Sequence, residues 1–334
     1  MANLHSTFKQ FNLELKITDT KDKKLKGARK ALADKITAFF KEKEGYSTPK
    51  FWIQGSFQMG TTIRTESDEC DLDLGVYFSV IPEVTGETIQ KHVFDLVDGH
   101  TKNVTPNHKK RCVRVNYAGD FHIDLPIYFF EEGMPHPKLA VKGQDFEESD
   151  PKQFYEWFNE QCKGMPQKIR LIRYLKAWAD KHKRKMPSGL AMTVFAIQYY
   201  SADERDDLAL LKTLKNIKSY VSVTWSCILP TCPNNDVLVR LNNDQKLNFI
   251  DALDELITKM EEVTSNDCDD ETAKDVCCKV FGRYFPLSNK AKSLVEKAML
   301  MNSGNHFTAP DGTITKESDG TIKNKPHKFY GEKE

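Results

Sequence analysis

The chain has 334 residues, of which 39% are hydrophobic and 29% charged, with a mean hydropathy of −0.56. That balance excludes a disordered chain and a fibrous repeat, and the length suits one large domain or a fused pair. Lys and Arg number 49 against 48 Asp and Glu, so no global basic field marks a nucleic-acid or anionic-membrane binder.

Residues 1–16 (MANLHSTFKQFNLELK) lack the apolar run of a secretory signal, which points to a cytoplasmic protein. Residues 21–43 read as a long amphipathic helix, because Leu25, Ala28, Leu32, Ile36 and Phe39 recur three or four apart and share a face. A turn and the apolar stretch FWIQGSF follow, then a polar loop, then DLDLGVYFSV, whose alternation marks a strand. Residues 85–97 read as helix. KRCVRVNY and FHIDLPIYFF read as two strands joined by the tight AGD turn.

From residue 150 the character changes. Segments 151–162, 167–183, 189–203, 206–218, 244–263, 271–280 and 288–301 carry helical periodicity, so the first half is mixed and the second nearly all helical. The longest apolar stretch, LAMTVFAIQYY from Leu190, is about half of the roughly 20 residues needed to cross a bilayer. WSCILPTCPNNDVL reads as a long ordered connection, and the polar segment from Asn302 as a flexible or surface-draped tail. Eight cysteines without regular spacing or nearby histidines read as free thiols, neither a disulfide framework nor a zinc site.

In DLDLG, Asp71 and Asp73 lie two apart on a strand, so their carboxylates project from one face while Leu72 and Leu74 point into the core. In HIDLPIY, Ile123 and Leu125 face inward and leave Asp124 on the opposite face. If the two strands are neighbours, three carboxylates converge. Such a cluster repels itself strongly enough to take up protons or bind a cation, and hard oxygen ligands suit Mg²⁺. Mg²⁺ is held by one or two carboxylates plus substrate phosphates, which implies a nucleoside triphosphate, and two such ions can clamp an in-line phosphoryl displacement. Upstream, Gly55 permits close backbone approach to a phosphate and Ser56 offers a hydroxyl; a plain turn fits these two residues as well.

Gly55-Ser56, then Asp71-Leu72-Asp73, then Ile123-Asp124-Leu125 resembles the signature of the nucleotidyltransferase superfamily that includes DNA polymerase β. The wider strings QGSFQMGTTIRTESDECDLDLGVYF and FHIDLPIY are similar to bacterial relatives of cyclic GMP-AMP synthase and oligoadenylate synthetase, the cyclic-oligonucleotide synthases of antiphage signalling operons. The gap from Ser56 to Asp71 is slightly longer than in most polymerase-like members. RLIRYLKAWADKHKRKMPSGLAMTVFA resembles the family segment in which a lysine and a serine hold the donor triphosphate, here Lys176 and Ser188. Read without the family, Lys176 fits a surface lysine beside the stripe Ile169, Ile172, Leu175 and Trp178, and Ser188 fits a helix N-cap, itself an anion site. KVFGRYFP resembles another recurrent string, whose Phe and Pro residues read as packing. The resemblance covers about residues 20–300.

It implies an α+β fold with a polymerase β-like core, a mixed twisted sheet bearing the three aspartates, and a helical lobe closing one side of the cleft. The expected units are 1–165, an amino-terminal spine helix spanning both lobes plus the catalytic core; 166–302, an oligoadenylate-synthetase-like helical lobe; and the tail 303–334. The implied activity is template-independent synthesis of a cyclic di- or trinucleotide from nucleoside triphosphates, with pyrophosphate release. Asp71, Asp73 and Asp124 would hold two Mg²⁺ ions, with Mn²⁺ an alternative, and Gly55, Ser56, Lys176 and Ser188 would hold phosphates. The implied partners are an effector activated by the product and an operon partner at the tail, with no membrane and no required nucleic acid. Transfer of a nucleotide to RNA ends or to a protein is the alternative, and a non-catalytic nucleotide-binding regulator a third. His122 reads as a hydrogen-bonded structural residue on the Asp124 face, and Lys109, Lys110, Arg111 and Arg114 as a solvated basic face.

Overall fold

The computed structural model describes residues 2–102, 104–182, 185–310, 313–316, 318 and 321–324. Helices α1 (His5–Glu14) and α2 (Asp19–Lys41) open the chain, followed by strand β1 (Lys50–Gln54), the single turn α3 (Gly55–Gln58) and strand β2 (Cys70–Phe78). Helix α4 (Gly86–Val97) leads into β3 (Asn107–His108), β4 (Val113–Tyr117), β5 (Phe121–Leu125), β6 (Ile127–Phe129), β7 (Lys138–Ala140) and β8 (Phe146–Glu148). Seven helices come next: α5 (Pro151–Cys162), α6 (Pro166–Lys181), α7 (Gly189–Gln198), α8 (Asp206–Val223), α9 (Asn243–Val263), α10 (Asp270–Phe281) and α11 (Asn289–Asn302). The short strands β9 (Phe307–Thr308), β10 (Ile314–Thr315) and β11 (Ile322–Lys323) form a separate small sheet where a draped tail is expected. The architecture is the α+β arrangement read from the sequence.

Strands β1 to β8 make one sheet in the order β3-β4-β5-β2-β6-β7-β8, with β1 paired to β2. The stretch expected as one strand after the AGD turn is split into β5 and β6 at Pro126, which has no N–H to donate. Both halves still run parallel to β2, and the Pro126 carbonyl accepts from Val76 N at 2.9 Å. Register then places the acids: Asp73 pairs with Asp124 and Asp71 with His122 across β2 and β5, while Arg114 pairs with Asp124 across β4 and β5.

Because side chains alternate along a strand, Leu72, Leu74, Val76, Ile123 and Leu125 all turn to one face. There they pack under Leu25, Leu32, Ile36 and Phe40 of α2 and Ile89, Val93 and Val97 of α4. Each such side chain contributes roughly 1.5–3 kcal/mol when buried, and a slip of one residue would send the whole set to the wrong face. The α2 stripe ends at Phe40 rather than at the expected Phe39. Phe40 is fully buried against Phe78, with ring centroids 4.7 Å apart, whereas Phe39 is 37% exposed. One helical turn on from Ile36 falls at Phe40, which keeps the stripe on the sheet. The expectation that this helix spans both lobes is corrected: its buried apolar side chains all belong to the sheet core.

The second core lies among α5 to α10, and α1 is part of it. Phe8 and Phe11 are fully buried and meet Tyr174, Phe281 and Phe285 at ring-centroid distances of 5.0–5.6 Å. Phe281 and Phe285 are the packing residues read in KVFGRYFP. Phe154, Phe158 and Cys162 of α5 join the same cluster. Core membership therefore cuts across the expected unit 1–165, because contact between apolar side chains, not chain order, defines a core. All eight cysteines are free. Among the described residues no helix is long and apolar enough to cross a membrane. Residues 325–334, where docking or conjugation is expected, lie outside the described residues.

Candidate active site

The face of the sheet turned away from α2 and α4 carries Asp71, Asp73 and Asp124 together. Their carboxylates are not equivalent. Asp124 is gripped by Arg114 in a two-bond fork, Nε to Oδ1 at 2.6 Å and Nη2 to Oδ2 at 2.8 Å. Asp71 has His122 Nε2 at 2.5 Å from its Oδ1 and Arg114 Nη2 at 3.9 Å from its Oδ2. Burial favours the neutral acid at Asp71, but His122, then Arg114 and Lys109, hold the carboxyl below its ordinary value. Asp73 lies between them and, among the described residues, makes no ion pair. Burial first, then the Asp124 and Asp71 carboxylates, push its pKa up to about 7.

As placed, no three His, Cys, Asp or Glu side chains among the described residues form a closed metal shell. The donor set nonetheless fits a hard cation. Asp73 is a half-buried carboxylate that makes no ion pair among the described residues, Asp71 is beside it, and substrate phosphate oxygens ordinarily complete such a shell.

Gly55 is where β1 turns into α3, at a φ of +65°, and a Cβ there would collide with Asp73 Oδ2. Glycine is thus required both by the left-handed backbone and by the carboxylate packed against it. Ser56 follows, its Oγ 3.0 Å from Thr62 Oγ1. The loop after α3 is anchored by Met59 and Ile63, which are buried in the helical core. Thr61, fully buried on that loop, holds Lys176 of α6: the ammonium donates to Thr61 Oγ1 at 3.0 Å and to its carbonyl at 3.3 Å. Burial, then the Arg173 guanidinium, pull the Lys176 pKa down to about 7, against the attraction of Asp73.

These groups line one cleft of about 620 Å³, with Gly55, Ser56, Asp71 and Asp73 on one wall and Lys176, Asp180 and Gly189 on the other. Ser188 caps α7 by accepting from Ala191 N at 3.2 Å and lines an adjoining cavity with Arg111 and Leu190. A third cavity, of about 370 Å³, opens on the other side of Asp73 and reaches Asp124.

Two residues of the basic cluster correct the solvated-face reading. Arg114 turns inward to Asp124, and Arg111 pairs with Glu147 at 2.5 Å while lining two of the cavities. The hairpin register is the signal that finds Arg114, since a three-residue AGD turn sets it opposite Asp124. His122 is paired with Asp71, its register partner. Thr61, Asp180 and Gly189 carry no local sequence signal; they enter the cleft through contacts between distant segments.

A twisted mixed sheet with paired acids on β2, a third on β5, a glycine-serine turn before them and a helical lobe opposite makes up the polymerase β-like nucleotidyltransferase fold. Residues 49–128 match the family described as "Cyclic GMP-AMP synthase DncV-like, nucleotidyltransferase domain". Over that segment the chain is similar to the bacterial cyclic GMP-AMP synthase-like nucleotidyltransferases. It is 26% identical over 229 residues to a cyclic GMP-AMP synthase of Vibrio cholerae, covering 52% of each chain. It is 22% identical over 212 residues to a c-di-GMP synthase of Roseivirga ehrenbergii, covering 53% of this chain and 55% of that one. The chain thus matches about half the length of these curated relatives. The solved structure of Vibrio cholerae DncV in its GTP-bound form superposes with a TM-score of 0.76 at 19% identity, over 86% of this chain and 97% of that one. Escherichia coli DncV bound to 3′-deoxy GTP gives 0.69 at 18% identity, over 81% and 93%.

Proposed function

We propose that the protein joins nucleoside triphosphates into a cyclic di- or trinucleotide, releasing pyrophosphate at each bond, as the messenger of an antiphage signalling system. The observation that carries this reading is Asp73: a half-buried carboxylate that makes no ion pair among the described residues, between two further acids and across a cleft from Lys176. Relatives named as cyclic GMP-AMP and c-di-GMP synthases support the product class. In each bond-forming step an acceptor ribose hydroxyl attacks the donor α-phosphorus, and the bond to the leaving pyrophosphate breaks.

Asp71 and Asp73 would hold Mg²⁺, with Asp124 joining on the acceptor side; a bound ion supplies acidification of the acceptor hydroxyl and neutralisation of the leaving charge. Ser56 and the backbone at Gly55 would bind donor phosphate oxygens, while the missing Gly55 Cβ leaves room for the Asp73 carboxylate. Lys176 meets the triphosphate from the opposite wall, and Thr61 fixes where its ammonium sits. Ser188, at the α7 N-terminus, adds a hydroxyl and helix-end N–H groups for the same anion. Arg114 orients Asp124 through its two-bond fork. Such positioning of charged groups is the main source of rate in phosphoryl transfer.

The test is incubation of the purified protein with the four ribonucleoside triphosphates and Mg²⁺, with mass spectrometry of the soluble products. A cyclic product is expected, and the Asp71→Asn/Asp73→Asn double variant should make none while keeping its circular dichroism. Labelled RNA or labelled protein in place of a soluble cyclic product, or activity retained by the double variant, overturns the reading.

A further inference from the structure

We propose that Thr231 selects the base of the acceptor nucleotide in the cavity beyond Asp73; the inference rests on the nucleotidyltransferase reading above. That cavity, about 370 Å³, has Asp73 and Asp124 at one end, and its volume lies within the range of small-molecule sites. The reacting ribose hydroxyl must come to the carboxylates, which leaves the remainder of the cavity for the base. Its wall there is largely apolar, with Phe154, Tyr155 and Leu229, surfaces that suit the π-face of any base. Discrimination must therefore come from the few polar groups.

Most of those groups are already committed. Gln54 Nε2 donates to the Tyr128 hydroxyl at 3.1 Å, and its Oε1 accepts from the Tyr77 hydroxyl at 3.2 Å. Asp150 accepts from Gln153 N at 2.9 Å as the cap of α5 and faces His136 Nδ1 at 3.1 Å. Thr231 differs. It is only 7% exposed, it lines the cavity, and its Oγ1 has no hydrogen-bond partner among the described residues. A buried hydroxyl without a partner is unfavourable, and a ligand edge that supplies one recovers that loss.

The hydroxyl is also held in place. Gln153 Oε1 accepts from Cys232 N at 2.9 Å, the Thr231 carbonyl accepts from Asn234 N at 2.7 Å, and Asn234 Nδ2 donates to the Leu229 carbonyl at 3.2 Å. The segment is fixed to α5 and to itself, so the hydroxyl can distinguish one donor or acceptor pattern from another. Bases differ in little else along their edges.

The probes are AMP, GMP, CMP and UMP, which lack the β- and γ-phosphates proposed for Ser56 and Lys176, with dissociation constants measured by NMR titration on the parent, Thr231→Val and Thr231→Ser. The parent should prefer one monophosphate by about tenfold, the serine variant should keep that preference, and the isosteric valine should reduce it to within about twofold. Thr231→Ala serves the same comparison should valine fail to fold. A parent without preference, or a valine or alanine variant with the parent's preference, overturns the proposal. Since no turnover is needed, a base-selective parent that makes no product defeats the transferase reading alone. A productive enzyme whose preference ignores residue 231 defeats this proposal alone.

Discussion

Burying a carboxylate without a cation is costly, and Asp73 bears that cost for the sake of the site. Its folded pKa of about 7, against an ordinary 3.8, means that the folded chain binds a proton more tightly than the unfolded chain between those values. The contribution is therefore fully felt above pH 7: metal-free protein loses stability as pH rises from about 4 to about 7, by an amount on the order of a few kcal/mol. Asp73→Asn removes the charge, so the metal-free variant should melt above the parent at pH 8 and level with it at pH 4. Mg²⁺ should raise the parent's Tm at pH 8 and leave the variant's unmoved. Differential scanning calorimetry at both pH values checks this, and a variant that melts below the parent at pH 8 removes the repulsion from the account. At this scale the three aspartates are legible in the sequence because period-two alternation fixes a face without reference to tertiary contacts. Arg114 is legible only once the hairpin register is drawn, and the grip of Thr61 on Lys176 joins segments 115 residues apart.

Among the elements, helix starts are the features most directly written in the chain. Thr18, Thr85, Asp150, Ser188 and Asn242 each accept from a backbone N–H two or three residues into the helix that follows. The helix at residues 5–14 shows no comparable signal: it is one short element with no side-chain cap, and its apolar face is recognisable only against Tyr174, Phe281 and Phe285. Ser188 carries both a cap and a proposed phosphate contact, and two substitutions separate them. Ser188→Ala removes the cap and should cost about 1 kcal/mol of stability. Ser188→Asp keeps a capping oxygen, so its Tm should stay near the parent's, while the added anion should raise KM for nucleoside triphosphates about tenfold, since like charges in a shared site repel. Thermal melts and steady-state kinetics read the two effects independently, and an unchanged KM in the aspartate variant removes Ser188 from the phosphate site.

At the scale of the whole molecule, the two cores have to be held in one relation for Asp71 and Asp73 to face Lys176. The loop entering β2 supplies the tie. Glu66 N donates to Asp180 at 2.7 Å, Arg283 N donates to the Glu66 carboxylate at 3.0 Å, and Lys181 lies 3.5 Å from it. Beside it the Tyr284 hydroxyl donates to Asp68 at 2.9 Å, and the Arg64 guanidinium stacks 4.4 Å from the Tyr284 ring centroid. Gly282, at a φ of +86°, leaves the space that the Glu66 carboxylate fills. None of this is legible beforehand, because Glu66 and Arg283 are 217 residues apart and each is an ordinary surface residue in the sequence. Glu66→Ala leaves the Arg283 N–H and Lys181 without that carboxylate, yet touches neither aspartate nor the proposed phosphate ligands. The expected result is a loss of about 1–2 kcal/mol in stability and a fall of about tenfold in kcat/KM from misplaced reacting groups. Gly282→Ala should show the same pattern by expelling the carboxylate from the other side. Steady-state kinetics beside thermal melts decide it: full activity in both variants would mean that the lobes keep their relation without this tie.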